Sequence, residues 1–136
     1  MAGYSSTPLV KKLGIKPGDR LLLLHIPEHY DQLIEIWPEG IQILSLEEAQ
    51  EVDFIHFFTQ KGVHLESIFP LLKEKLRRGG MLWISWPKGK SKLPKDLNEN
   101  DVRRVGLEAG LVDVKVCAVD DDWSGLKFMY RKKGAS

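Results

Sequence analysis

"VDVKVCAVDDDWSGLKFMYR", Val112 to Arg131, decides how this chain folds. Its first half alternates: Val112, Val114, Val116 and Ala118 share one face, and Asp113, Lys115 and Cys117 share the other. That is the pattern of a strand with one half-wet face, at or near the edge of a sheet. Gly125 to Tyr130 reads as a second strand, with Leu126, Phe128 and Tyr130 in alternation. About five residues join the two, whereas a parallel crossover needs a dozen or more. The pair must be antiparallel neighbours or nearly so.

The elements upstream are of a different kind. "LLLLHI" (Leu21 to Ile26), "VDFIHFF" (Val52 to Phe58) and "MLWISW" (Met81 to Trp86) are apolar on both faces, as strands covered on both sides are. "IQILSL", Ile41 to Leu46, is a shorter strand candidate. Helical segments alternate with these strands. Thr7-Pro8 starts one that Gly14 ends, and another lies around His29 to Ile36. In "HLESIFPLLKEKLRR", His64 to Arg78, Leu65, Ile68, Leu72 and Leu76 fall on helical spacing up to Gly79-Gly80, with Pro70 kinking the helix or marking its first turn. Asn98 or Asn100 caps a last helix that Gly110 ends. Such alternation implies a mostly parallel sheet with right-handed crossovers. The expected fold is therefore α/β: a three-layer, Rossmann-like sheet with helices on both faces and an antiparallel C-terminal hairpin. Residues 1–136 read as one domain, in which 1–19 form a helix and turn leading into the first strand.

Composition narrows the function. The chain has 43% hydrophobic and 29% charged residues and a formal net charge of +1, without the basic excess of a dedicated nucleic-acid binder. Cys117 is the single cysteine, so no internal disulfide forms, and no Cys/His cluster has zinc-ligand spacing. "MAGYSSTPLVKK" lacks the apolar run of a signal peptide, and nothing later approaches a membrane span. The expectation is a soluble, cytoplasmic protein.

The order "EVDFIHFF", helix, "LRRGGMLWISWP", followed by a reversed final strand, resembles the class I methyltransferase-like version of the Rossmann fold. "LGIKPG" (Leu13 to Gly18), "GGMLWISWPKGK" (Gly79 to Lys90), "ENDVRRVGLEAGL" (Glu99 to Leu111) and "DDDWSGLKF" (Asp120 to Phe128) resemble a bacterial family, domain of unknown function 3052, in order and spacing. This resemblance implies a methyltransferase-like fold. It implies no activity, since that family has none assigned.

Cofactor use turns on the loop after the first strand. A nucleotide-binding Rossmann site needs glycines there, so that the backbone turns tightly and approaches the ligand closely. This chain has "HIPEHYDQ", His25 to Gln32, in which Pro27 removes a backbone donor and Glu28 adds negative charge where a phosphate or a methionine carboxylate would lie. Glu47 or Glu48 stands about 20 residues on, at the ribose-binding spacing, but without the glycine loop it reads as a solvated glutamate. No cofactor is expected; S-adenosylmethionine, NAD and FAD are all disfavoured.

Ligands on such a sheet bind outside the carboxyl ends of the parallel strands. His25 to His29, Phe58 to Lys61, Trp86 to Lys92 and Asp120 to Trp123 should converge there. Within these segments Glu28, His29, Trp86, Lys88, Lys90, Asp120, Asp122 and Trp123 are the candidate ligand or partner surface. In the strand order that the methyltransferase-like resemblance implies, the reversed strand lies between the basic and acidic loops, which should then face each other about 10 Å apart.

Lys88, Lys90, Lys92 and Lys95 beside Trp86 suit a nucleic-acid backbone with a base on the indole, but a solvated, mobile loop is favoured. Asp120, Asp121 and Asp122 suit a hard cation, but adjacent aspartates point to alternate sides, so turn capping or pairing with the lysines is favoured and no metal is assigned. His56 reads as a satisfied core residue, and Cys117 has no activating neighbour in the sequence. Without a nucleophile and an identifiable base, an enzyme is less expected than a noncatalytic binding or protein-interaction module. The alternative is a small enzyme, or a binder of a nucleotide or other small molecule, using the Trp86–Lys90 and Asp120–Trp123 loops at the carboxyl edge of the sheet.

Overall fold

A computed structural model describes residues 7–132. The first six residues, read above for a leader, lie outside that range. The elements are α1 (Leu9–Leu13), β1 (Arg20–Leu24), α2 (Tyr30–Ile34), β2 (Gln42–Leu44), β3 (Val52–Phe58), α3 (Gly62–Lys75), β4 (Leu76–Pro87), α4 (Glu99–Glu108), β5 (Leu111–Ala118) and β6 (Trp123–Tyr130). They form a six-stranded sheet of order β2-β1-β3-β4-β6-β5. β1 pairs in parallel with β2 and β3, and β3 with β4, whereas β6 runs antiparallel to both β4 and β5. The reversed strand is antiparallel to β5, as the short turn requires, and lies between β4 and β5, as the methyltransferase-like order implied.

The apolar-on-both-faces strands are central, and each face has its own core. On one side, Ile55, Ile84 and Phe128 meet Leu65, Phe69 and Leu72 of α3 and Val102 and Val105 of α4. On the other, Phe54, Phe58 and Trp83 meet Leu13 of α1 and Tyr30 and Ile34 of α2. The two cores lie back to back across the sheet.

Asn98 caps α4 in a reciprocal box: its side chain accepts from the Asp101 N–H while the Asp101 carboxylate accepts from the Asn98 N–H. At α1 the cap position falls to Pro8, one residue beyond the expected Thr7, and makes no side-chain cap bond.

Two expectations are corrected. The helix ending at Gly79-Gly80 stops instead at Lys75, and Leu76 to Gly80 already belong to β4. Leu76 pairs with Val52 ahead of a register shift, Arg77 forms an ion pair with Asp53, and a Cβ on Gly80 would stand 3.0 Å from the Asp53 carbonyl oxygen. Long-range pairing with β3 therefore overrides the helical spacing of "KEKLRR". In β5 a bulge between Asp113 and Lys115 breaks the even alternation. Asp113 turns toward α4, where it accepts from Arg103 Nε at 2.9 Å, and Lys115 turns toward α1, where its Nζ donates to the Lys12 carbonyl at 3.4 Å.

β6 seats against α4 through a glycine. A Cβ on Gly106 would lie 2.0 Å from Cε1 of Phe128, so the helix approaches the sheet at a distance that only glycine permits. Helix propensity alone favours Gly106→Ala by about 1 kcal/mol, whereas overpacking costs about 1–3 kcal/mol. Packing should win: Gly106→Ala is expected to lower the urea midpoint, with a net loss of up to about 2 kcal/mol. A raised midpoint would mean that the helix and Phe128 are not in this contact.

Candidate functional site

The loop leaving β1 is fixed by its own side chains. His25 follows the strand with φ +56°, in the left-handed region that a non-glycine residue rarely occupies. The Pro27 carbonyl accepts from the Tyr30 N–H at 3.0 Å, and α2 then runs for only five residues. Tyr30 is buried, with its hydroxyl 2.9 Å from Nδ1 of His56, and His56 Nε2 lies 2.7 Å from Ser85 Oγ. A neutral imidazole carries one N–H and one acceptor nitrogen, so the two hydroxyls take opposite roles and both bonds are made. Burial lowers the His56 pKa from 6.5 to about 3 and pushes the Tyr30 phenol far above its usual value. His56 is the satisfied core residue expected, and this Tyr-His-Ser chain, closed to solvent, ties the first loop to β3 and β4.

The acidic loop is built as a turn. Asp120 Oδ1 accepts from the N–H groups of both Asp122 and Trp123 at 2.8 Å, and its Oδ2 lies 2.8 Å from His29 Nε2. One carboxylate therefore closes its own turn and reaches across to the β1 loop. Asp122 holds the lysine-rich loop: its carbonyl accepts from the Lys88 N–H at 2.8 Å and its Oδ1 accepts from Ser91 Oγ at 2.8 Å. The two loops do face each other. Among the described residues they join through backbone and serine, with no lysine-carboxylate ion pair between them.

The lysine-rich loop is also tied at its far end, where a mobile loop was expected. The Asp96 N–H donates to the Gln60 carbonyl, Gln60 Nε2 donates to the Pro94 carbonyl, and Asp96 Oδ1 accepts from the Gly62 N–H at the start of α3. Lys95 Nζ turns back to the Ser91 carbonyl at 3.0 Å.

The tryptophans are separated. Trp86 is 4% exposed and packs in the core under α3 and α4, while Trp123 is 9% exposed on the opposite face, its ring 5.0 Å edge-on from Phe58. The register explains this: Trp86 stands opposite Ser124, and Pro87 opposite Trp123. Trp86 is thereby corrected from surface candidate to core residue, unable to stack a base. Trp123 is the lid on the core that a lone tryptophan after a strand tends to be. Glu28 and Lys90 are exposed, Lys88 is half-buried, and the structure brings none of them into a cluster. Glu48 is committed to its own turn: its carboxylate accepts from the Ser45 N–H at 3.0 Å, and that bond lowers its pKa. Among the described residues no group of three His, Cys, Asp or Glu could hold a metal, and no helix is long and apolar enough to cross a membrane.

What does open at the carboxyl edge is a cleft of about 330 Å³ between the ends of β1 and β3, with His25, Lys61 and His64 around an apolar wall of Phe58 and Trp123. Phe58 to Lys61 was expected at this edge. His64 was not, because its place on the first turn of α3 shows only once that helix begins at Gly62. The cleft presents one ammonium and two imidazoles beside aromatic surface, a combination suited to an anionic group on an apolar body.

Several solved structures share this architecture. A SAM-dependent methyltransferase from Aquifex aeolicus superposes with a TM-score of 0.71 at 16% identity, over 90% of this chain and 88% of that one. The magnesium protoporphyrin IX methyltransferase of Synechocystis, solved with bound SAH, gives 0.58 at 9% identity over 90% and 78%. A TehB-like SAM-dependent methyltransferase from Corynebacterium glutamicum gives 0.55 at 12% over 96% and 91%. The chain has the methyltransferase-like Rossmann fold. At these identities the likeness is one of fold alone. No family model matches the chain, and no curated protein does.

The buried imidazole makes stability depend on pH. Its folded pKa of about 3 lies below the unfolded 6.5, so the unfolded state binds the extra proton first and stability falls as pH drops through that window. The slope from this one group approaches 1.4 kcal/mol per pH unit. Melting temperature should fall more steeply between pH 6 and pH 4 in the native protein than in His56→Gln. Equal slopes would mean that His56 is not buried as a neutral group.

Proposed function

We propose that this chain is a noncatalytic binding module, built on a methyltransferase-like sheet, whose carboxyl-edge cleft takes an anionic ligand with an apolar body or a partner presenting such a group. The observation that carries the reading is the state of the β1 loop. Where a Rossmann cofactor site offers glycine N–H groups and a helix N-terminus, this loop has Pro27, the Tyr30 plug on His56 and the His29–Asp120 bond. A five-residue α2 supplies little dipole to attract a phosphate or carboxylate. Conventional S-adenosylmethionine chemistry is disfavoured on this ground, and the hydroxyl–carboxylate pair at the edge, Ser91 with Asp122, is spent on joining the two loops.

Membership of the domain of unknown function 3052 family is part of this proposal. Support comes from the mutual contacts of the four resembling segments. Trp83 Nε1 of "GGMLWISWPKGK" donates to the Leu13 carbonyl of "LGIKPG" at 2.8 Å. Gly125 of "DDDWSGLKF" lies where a Cβ would be 3.1 Å from the Trp83 ring, and Gly106 of "ENDVRRVGLEAGL" faces Phe128. Residues that interlock in this way are held in place by packing, so the likeness speaks to fold and surface more than to chemistry. A lone, half-buried Cys117 suits a reducing cytoplasm.

A thermal-shift screen of aromatic and aliphatic carboxylates and nucleotides tests the cleft. The expected result is a saturable stabilisation that Lys61→Ala and His64→Ala each reduce at least fivefold in affinity. Stabilising ligands whose affinity neither variant changes would move the site elsewhere.

A further inference from the structure

We propose that Lys12, Lys16, Lys115 and Lys127 form an anion-binding site for a compact polyphosphate on the α1 face of the sheet. The site is distinct from the carboxyl-edge cleft: Lys127 lies four residues along β6 from Trp123, roughly 13 Å at the rise of a strand. Lys115 and Lys127 are direct cross-strand partners. Like charges in that relation destabilise a sheet, and the β5 bulge enforces the relation by turning Lys115 to the α1 side. There its Nζ donates to the Lys12 carbonyl at 3.4 Å, while Lys127 Nζ lies 5.9 Å from the centroid of the Trp83 ring. The four charges are felt together. The Lys127 amine is held below its usual pKa by burial, and then by Lys115 and Lys16. Lys115, Lys12 and Lys127 pull on the Cys117 thiol, although burial still raises it.

No carboxylate answers this cluster. Arg77, Arg103 and Arg104 each have an acidic partner, whereas among the described residues none of the four lysines has one. The nearest acids in sequence are engaged elsewhere: Asp113 turns to Arg103 on the other side of the sheet, and Asp19 accepts from the Lys16 backbone N–H at 3.0 Å and closes its own turn. Lysines bind phosphate as point charges, and here Lys115 and Lys127 stand side by side on adjacent strands, with Lys115 Nζ reaching the backbone of Lys12 on α1, instead of lining up along a track. Convergence favours several negative charges close together over an extended backbone. Trp83 is fully buried and offers no face to a base, so the phosphate chain itself is what the site can read.

Calorimetric titration at low salt tests this with inorganic tripolyphosphate, ATP, orthophosphate and a single-stranded oligonucleotide. Tripolyphosphate should bind saturably and ATP comparably, orthophosphate at least tenfold more weakly. Lys115→Ala and Lys127→Ala should each weaken tripolyphosphate at least tenfold, and Lys92→Ala should leave it unchanged. Lys115→Glu should raise the melting temperature of the anion-free protein by relieving the like-charge pair, and should abolish the further rise that tripolyphosphate produces. Absence of saturable binding, unchanged affinity in the two alanine variants, or oligonucleotide binding that tripolyphosphate cannot displace would each overturn the proposal.

Discussion

β6 packs closely between β4 and β5 and under α4 where two glycines stand. Gly125 leaves room for the Trp83 ring and the Ser85 hydroxyl on β4, and Gly106 lets α4 close over Phe128. With that strand in place, Trp83 is fixed well enough to donate to Leu13 across the α1 core, and Ser85 is fixed well enough to meet His56. The reversed strand thus sets the geometry of both faces. It also brings Trp123 to the carboxyl edge beside Phe58, and so forms one wall of the cleft.

The same edge is closed on the β1 side and open on the β3 side. Pro27, Tyr30, His29 and Asp120 occupy the position at which Rossmann-like sheets usually expose backbone donors. Asp96 takes the first N–H of α3, and the neighbouring cleft draws its polarity from side chains, among them His25, Lys61 and His64. The likeness to methyltransferases is one of the sheet, while the β1 loop is bonded to β3 through His56 and to the acidic loop through Asp120.

Much of this was legible in the sequence, for identifiable reasons. The link of about five residues before Gly125 excludes a crossover whatever the tertiary context, so the antiparallel hairpin followed from chain length. The α4 box at Asn98 and Asp101 is local and readable. The start of β4 was not, because "KEKLRR" has helical spacing and only pairing with Val52 and Asp53 draws it into the sheet. Trp86 was misplaced because facing depends on the β4–β6 register, which no local pattern encodes. The β5 bulge was hidden for a similar reason: an alternating pattern cannot announce the residue at which alternation breaks. His29 and Asp120 were both expected at the carboxyl edge, but their bond spans 91 residues of chain and depends on the order of the strands.

The proposal that the β1 loop is closed to a nucleotide cofactor is open to direct measurement. Amide NMR during titration with S-adenosylmethionine tests it most directly, since His25, Glu28, His29 and Tyr30 each report from the loop itself. The account predicts that these resonances stay in place up to millimolar cofactor. Saturable shifts at those four residues, with the Tyr30–His56 bond intact or broken, would contradict it.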